Sequence, residues 1–240
     1  MNDSKQRKWN NAQVREYLRA HAEERYRRHV EKLTPGSRDV LGVKMGTLRR
    51  LAKQIARGDW RDYLENGAEN SFEERMLKGL VLCYAPTNIT ELIDCFEGIM
   101  PMIDNWAICD SACAGYHFNE NEKDTLRAYL ASKICSDKEF EVRFALVMLL
   151  YYYMEQESLD FVFSMLKRVE HPGYYARMAA AWLISIAYIQ FEEQTAVFLS
   201  AAEIHPEVIK KAVQKIKESR VPDRASKQRA EVLLREITDT

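Results

Sequence analysis

Glycine and proline are scarce, 9 and 6 of 240 residues. With Leu, Ala, Glu, Lys and Arg plentiful, local preference favours helix almost throughout, and no credible strand remains. No run of about 18 apolar residues occurs, which excludes a membrane-spanning helix. The opening MNDSKQRKWNN has no apolar core of a secretory signal. The expectation is a soluble, cytoplasmic protein with no membrane partner. There is no C-x-x-C pair, and the five histidines do not cluster with the five cysteines at ligand spacing, so no metal site is expected. An odd number of scattered thiols fits a reducing compartment. Cys109 and Cys113, four apart on one helical face, read as small buried apolar residues.

Excess charge is also lacking. The net charge is −1, which by itself argues against a nucleic-acid partner. The distribution is less neutral. Residues 1–60 carry 15 Lys and Arg against 7 Asp and Glu, residues 205–240 carry 9 against 6, and the middle carries 11 against 23. Basic ends and an acidic middle permit a DNA-binding surface without requiring one.

At 47% hydrophobic residues, the chain can bury a substantial core, and an elongated repeat array has no upper size limit. We read 1–240 as a single domain, with 1–10 as a candidate disordered tail. Asn11 to Lys32 reads as one charged helix with a thin apolar stripe, ended by Thr34-Pro35-Gly36-Ser37. Apolar residues at 48, 51, 52, 55 and 56 predict a helix over 47–57. Gly58-Asp59 breaks it, with Asp59 as the cap of a short helix. Ser71-Phe72-Glu73-Glu74 is a capping-box pattern opening a helix to about Tyr84. Further helices are expected at 89–99, from Pro101 through Trp106 to Tyr116, and at 122–134, 139–154, 157–169, 174–190, 192–202, 206–219 and 226–237. Paired by neighbour, about twelve helices give about six hairpins of roughly 35 residues, the range of HEAT or TPR repeats. Phe144–Tyr153 and Met178–Ile189 are apolar on most faces, as helices buried on more than one side are.

Four places hold residues able to do chemistry. Trp106 and Asp110 are one helical turn apart, an aromatic beside a carboxylate that suits a cationic group. A core Trp with a capping or ion-paired Asp explains the same pattern. Arg143 sits one turn into an apolar helix, where it pairs with a carboxylate such as Glu139 or points at a phosphate. Trp182 lies among small residues, as a core Trp does, although they also let another chain approach. Lys210 and Lys217 fall near one stripe of their helix, Lys211 and Lys215 on an adjacent one. That is either a solvated face or a phosphate-tracking edge.

Together these pieces resemble the AlkD-type HEAT-like-repeat family of DNA alkylation-repair glycosylases, from about Val40 to Arg220. The landmarks are Leu41-Gly42-Val43-Lys44, Leu48-Arg49-Arg50-Leu51-Ala52-Lys53, Asp104-Asn105-Trp106 with Asp110, Val142-Arg143-Phe144, and Met178-Ala179-Ala180-Ala181-Trp182. The resemblance implies an all-α fold, a right-handed curved solenoid of about six HEAT-like helical hairpins whose concave face cradles double-stranded DNA. It implies a monofunctional DNA-3-alkylpurine glycosylase, and a monomer is expected because DNA would occupy the concave surface. Such an enzyme hydrolyses the N-glycosidic bond of cationic 3-alkyladenine and 7-alkylguanine without metal, cofactor or base flipping. Asp110 matches the catalytic carboxylate, Trp106 and Trp182 the aromatic pair on the lesion's deoxyribose, and Arg143 the arginine on the adjacent backbone. Lys44, Arg49, Lys210 and Lys217 complete the expected DNA contacts.

One segment departs from the family. Leu33-Thr34-Pro35-Gly36-Ser37-Arg38-Asp39 cannot continue a helix, where active members have one that enters the minor groove. The resemblance is therefore to a divergent branch with a shortened first-repeat recognition helix. Two other readings stand beside the glycosylase: a non-catalytic DNA-binding or scaffold paralogue that kept the fold, and a protein-binding helical-repeat adaptor.

Overall fold

The computed structural model describes residues 8–238. Among them are fourteen α-helices and no strand. They are α1 (Asn11–Ala20), α2 (Glu24–Leu33), α3 (Met45–Ala56), α4 (Trp60–Asn66), α5 (Phe72–Leu82), α6 (Ile89–Ile99) and α7 (Trp106–Cys113), followed by α8 (Glu120–Lys133), α9 (Glu139–Tyr152), α10 (Leu159–Leu166), α11 (Tyr174–Gln190), α12 (Glu192–Ala201), α13 (Pro206–Glu218) and α14 (Arg224–Thr238). The chain folds as two compact units, one up to Arg127 and one from Ala128, the division falling within α8. In the first unit α5 packs between α3 and α7, with α4 and α6 against it. In the second, α11 packs between α9 and α13, while α14 lies against α12 and α13. Successive helices stacking in chain order is the packing of a helical-repeat protein, and the all-α expectation holds.

Local signals explain most boundaries. The Ser71 hydroxyl accepts from the Glu74 amide while the Glu74 carboxylate accepts from the Ser71 amide, so both ends of the capping box are closed. Asn88 caps α6 through the Glu91 amide at 3.0 Å. The two stretches read as apolar on most faces are buried in large part: every residue from Glu141 to Leu149 in α9, though Tyr151 is exposed, and Ala179–Ala181, Leu183–Ser185, Ala187 and Tyr188 in α11; α5 is buried too, except Arg75. Of the candidate tail, residues 1–7 lie outside the described residues, Trp9 is buried against Tyr17, and Asn10 caps α1.

Three expectations need correction. The helix read over 11–32 is two helices, because the Glu23 amide leaves the helical pattern to donate to Gly42 O at 3.0 Å and Ala22 bridges to Val43. The element from Pro101 to Tyr116 is a 3-10 turn at Met100–Met102 followed by α7, because the Asn105 side chain caps a fresh helix start. Asp59 stands at the start of α4 but makes no capping bond, and its carboxylate pairs with Lys8 at 3.1 Å.

The loop between α2 and α3 is held with little freedom. Glu73, 1% exposed, accepts the amides of Leu41, Gly42 and Val43 at 2.9, 2.7 and 3.1 Å. Gly42 has φ +89°, and a Cβ there would lie 2.6 Å from Glu23 O, so this crossing needs glycine. The turn at 34–39 ends α2, as its sequence predicts, and the Thr34 hydroxyl donates to Val30 O.

Candidate functional site

In the first unit the site is built on α7. The side-chain oxygen of buried Asn105 accepts from the amides of Ala107 and Ile108 at 3.0 and 3.1 Å, while its Nδ2 donates to Asp104 at 2.7 Å. Asp104 in turn lies 3.5 Å from the Arg75 guanidinium of α5. This cap fixes where α7 starts and makes Trp106 its first residue, with Asp110 one turn on. Both are half-buried, whereas Ile108, Cys109, Ala112 and Cys113 turn inward. α7 can sit close to α5 because Gly79 faces Ala112, and a Cβ on Gly79 would come within 2.7 Å of the Ala112 Cβ. The Trp106 indole N–H donates to Leu33 O at the end of α2, 3.1 Å away. Burial raises the Cys113 thiol far above its usual value, with Cys109 and Asp110 adding to the shift, so the Cys113 thiol stays protonated and inert.

On the other flank of α5, α3 exposes Arg49, Arg50 and Lys53, and Arg57 is exposed at its C-cap. Lys53 Nζ lies 5.0 Å from the centre of the Tyr84 ring. Arg49 is near enough to temper the Cys83 thiol, which burial pushes up to about 11. Lys44, just before α3, pairs with Glu23 at 2.7 Å, and both side chains are exposed.

In the second unit Arg143 is buried at the start of α9 and donates to Tyr175 O at 3.1 Å, tying α9 to the first turn of α11. Its expected partner Glu139 is engaged elsewhere: the carboxylate accepts from the Tyr175 and Ala176 amides at 2.5 and 3.4 Å. That capping is favoured because the first-turn amides of a helix have no partner within it. Trp182 is half-buried on α11, and Tyr151 from the end of α9 meets it edge-on, ring centres 6.5 Å apart and planes at 83°.

The four lysines of α13 divide between two flanks. Lys210 and Lys217 line a groove with Glu231 and Arg235 of α14, and Lys217 is ion-paired to Glu231. Lys215 is half-buried and loses affinity for its proton, first through burial and then through the charges of Arg143 and Lys211, with Glu218 opposing. A cleft of about 700 Å³ in this unit holds none of the expected site residues. It uses Arg177, Ala180 and Ile184, on the side of α11 away from Trp182, and Arg177 there is paired with Glu207 at 2.7 Å.

The family model for DNA alkylation repair enzymes matches residues 14–216, most of the chain. The protein belongs to the DNA alkylation repair enzyme family. No curated protein matches it alongside that model. Every landmark residue lies inside the matched span: Leu41–Lys44 in the loop before α3, Asp104 and Asn105 just before α7, and the others on α3, α7, α9 and α11. Sequence reasoning passed over Tyr151, which lay hidden in an apolar run. It quoted Lys53 only as part of a landmark, and Lys215 only with Lys211 on the stripe beside Lys210.

Proposed function

We propose that the protein is a monofunctional DNA glycosylase that releases cationic alkylpurines, 3-alkyladenine and 7-alkylguanine, from duplex DNA. The observation that carries this reading is the Trp106–Asp110 pair on one turn of a helix whose start is fixed by a buried Asn cap, in a chain of the alkylation-repair family.

The chemistry asks little of the protein. A cationic alkylpurine leaves with the electron pair of its N-glycosidic bond and becomes neutral, so no acid is needed to protonate it. Positive charge then develops on the sugar, as in glycoside hydrolysis. The Asp110 carboxylate and the Trp106 π-face stabilise that charge electrostatically. Water adds to C1′ and gives up a proton, which Asp110 is suited to direct. The products are the free base and an abasic sugar. In the second unit, Trp182 carries the aromatic contact to the deoxyribose and Arg143 the contact to the adjacent backbone. Lys44, Arg49, Lys210 and Lys217 are DNA contacts in this reading, and Lys53 and Lys215 join them.

The experiment is base release from duplex DNA containing 7-methylguanine at low salt, wild type beside Asp110→Asn. Release by the wild type that falls at least 100-fold in the isosteric variant is expected, the order of effect seen when one electrostatic group is removed from an active site. The turn at 34–39, which ends α2 where the resemblance implies a recognition helix, favours a second reading, a non-catalytic DNA-binding or scaffold paralogue. No release from either protein, with DNA binding retained, would establish it.

A further inference from the structure

α2 is an unusual helix for its position. None of its side chains is buried, and seven of its ten residues are charged or histidine. Burial of apolar surface, which seats most helices, therefore contributes little here. What holds α2 is backbone. At its N-terminal end, Glu23 N donates to Gly42 O, and Gly42 permits contact too close for a side chain. The loop beyond its C-terminal end is anchored independently: Thr34 is 2% exposed, Arg38 O accepts from Arg75, and the Glu73 carboxylate grips residues 41–43. Between these anchors the last carbonyl of the helix, Leu33 O, accepts the Trp106 indole N–H.

That hydrogen bond joins two features that sequence separates by 73 residues. The final carbonyls of a helix lack partners within it and carry the negative end of its dipole. An indole N–H is a donor with no other role, and once it is engaged the ring can no longer turn about its own axis without breaking the bond. Donation to a carbonyl also leaves the ring more electron-rich, which strengthens its face as a partner for positive charge.

We infer that the C-terminal end of α2 is a positioning element for Trp106: the Leu33 carbonyl sets the orientation of the indole, and the aromatic half of the site is complete only while α2 is seated. The role of Trp106 in this inference rests on the glycosylase reading, whereas the seating of α2 does not. α2 is a positioning element and touches no reacting atom. Its lack of buried side chains lets whatever displaces it loosen Trp106 without unfolding the unit.

The test replaces Trp106 by 3-benzothienylalanine, which keeps the fused-ring shape and π-face but has sulfur in place of the N–H. Two quantities are read on the full-length protein. The first is hydrogen exchange of the 24–34 backbone, with 72–82 as internal control; exchange in 24–34 is expected to rise about three- to tenfold, the worth of one hydrogen bond, while 72–82 is unchanged. The second is single-turnover release of 7-methylguanine, expected to slow about three- to tenfold with little change in DNA affinity. Unchanged exchange overturns the seating of α2 by Trp106. Faster exchange with an unchanged release rate overturns the positioning role. A wild type that releases no base removes the glycosylase reading, and the exchange measurement alone then decides whether Trp106 holds α2. Trp106→Phe, which loses the N–H and keeps an aromatic face, must raise exchange in the same segment, and failure to do so also overturns the proposal.

Discussion

A single carboxylate decides the path of the chain between α2 and α3. Glu73 is buried and accepts three consecutive amides, which suits an ion far better than a neutral amide. Glu73→Gln keeps the size but sets an NH2 against at least one of those N–H groups, leaving buried donors unpaired. The unfolding free energy should fall by about 2–3 kcal/mol, read from urea melts. A loss under about 0.5 kcal/mol would mean that the loop is held by other contacts. Glu73 illustrates what sequence conceals at this scale. Ser71 and Glu74 announce a capping box through their spacing, but nothing in the order of residues says that Glu73 between them reaches back 30 residues. Asp59 is the converse, a well-placed capping residue whose carboxylate pairs with Lys8 instead.

Among the helices, the second unit has its own tie-point. Glu192, at the start of α12, receives the Arg229 guanidinium and the Ser226 hydroxyl of α14, and the Tyr188 hydroxyl of α11. Arg229 above all, with Ser226 and Tyr188 as further donors, holds its carboxyl down to about 2 against the opposing effect of burial. A folded-state value below the unfolded one means stabilisation that is complete above the ordinary carboxylate range. It is lost as the pH falls from about 4.3 towards 2. Glu192→Gln should cost about 1 kcal/mol near neutrality, allowing for solvent screening. The gap from wild type should close in acid, measured by urea melts between pH 7 and 2.5. A gap independent of pH would show that Glu192 acts by packing. Most helices were legible in advance, 89–99 and 174–190 to the residue, because caps and apolar spacing are local. The break at 21–23 was not, since no Gly or Pro marks it and its cause is a hydrogen bond to Gly42. α7 was blurred into the preceding 3-10 turn because Asn105 looks like part of a motif rather than a helix start.

For the molecule as a whole, net charge is a poor guide to where DNA would be met. The cations of α13 divide between a flank compensated by α14 and a flank beside Arg143. Only uncompensated cations release counterions on binding a phosphate backbone. Lys215→Gln should therefore lower the slope of log affinity against log salt by about one for duplex DNA. Lys217→Gln should lower it by less, because Lys217 must give up its ion pair with Glu231 to meet a phosphate. Equal effects from the two variants would count against this assignment. Family membership and the helical fold were readable from ordered landmarks spread over the chain. The division of the lysines was not, because it depends on which neighbour each helix face meets.

The five cysteines carry a practical consequence. Cys109 and Cys113 are buried, Cys83 and Cys95 are partly covered with thiols held above their usual range, and Cys135 stands exposed after α8. A maleimide dye at limiting stoichiometry should find Cys135 first, so the wild-type protein comes with a built-in attachment point at the start of its second unit. Fluorescence studies of it on DNA can begin without an engineered cysteine.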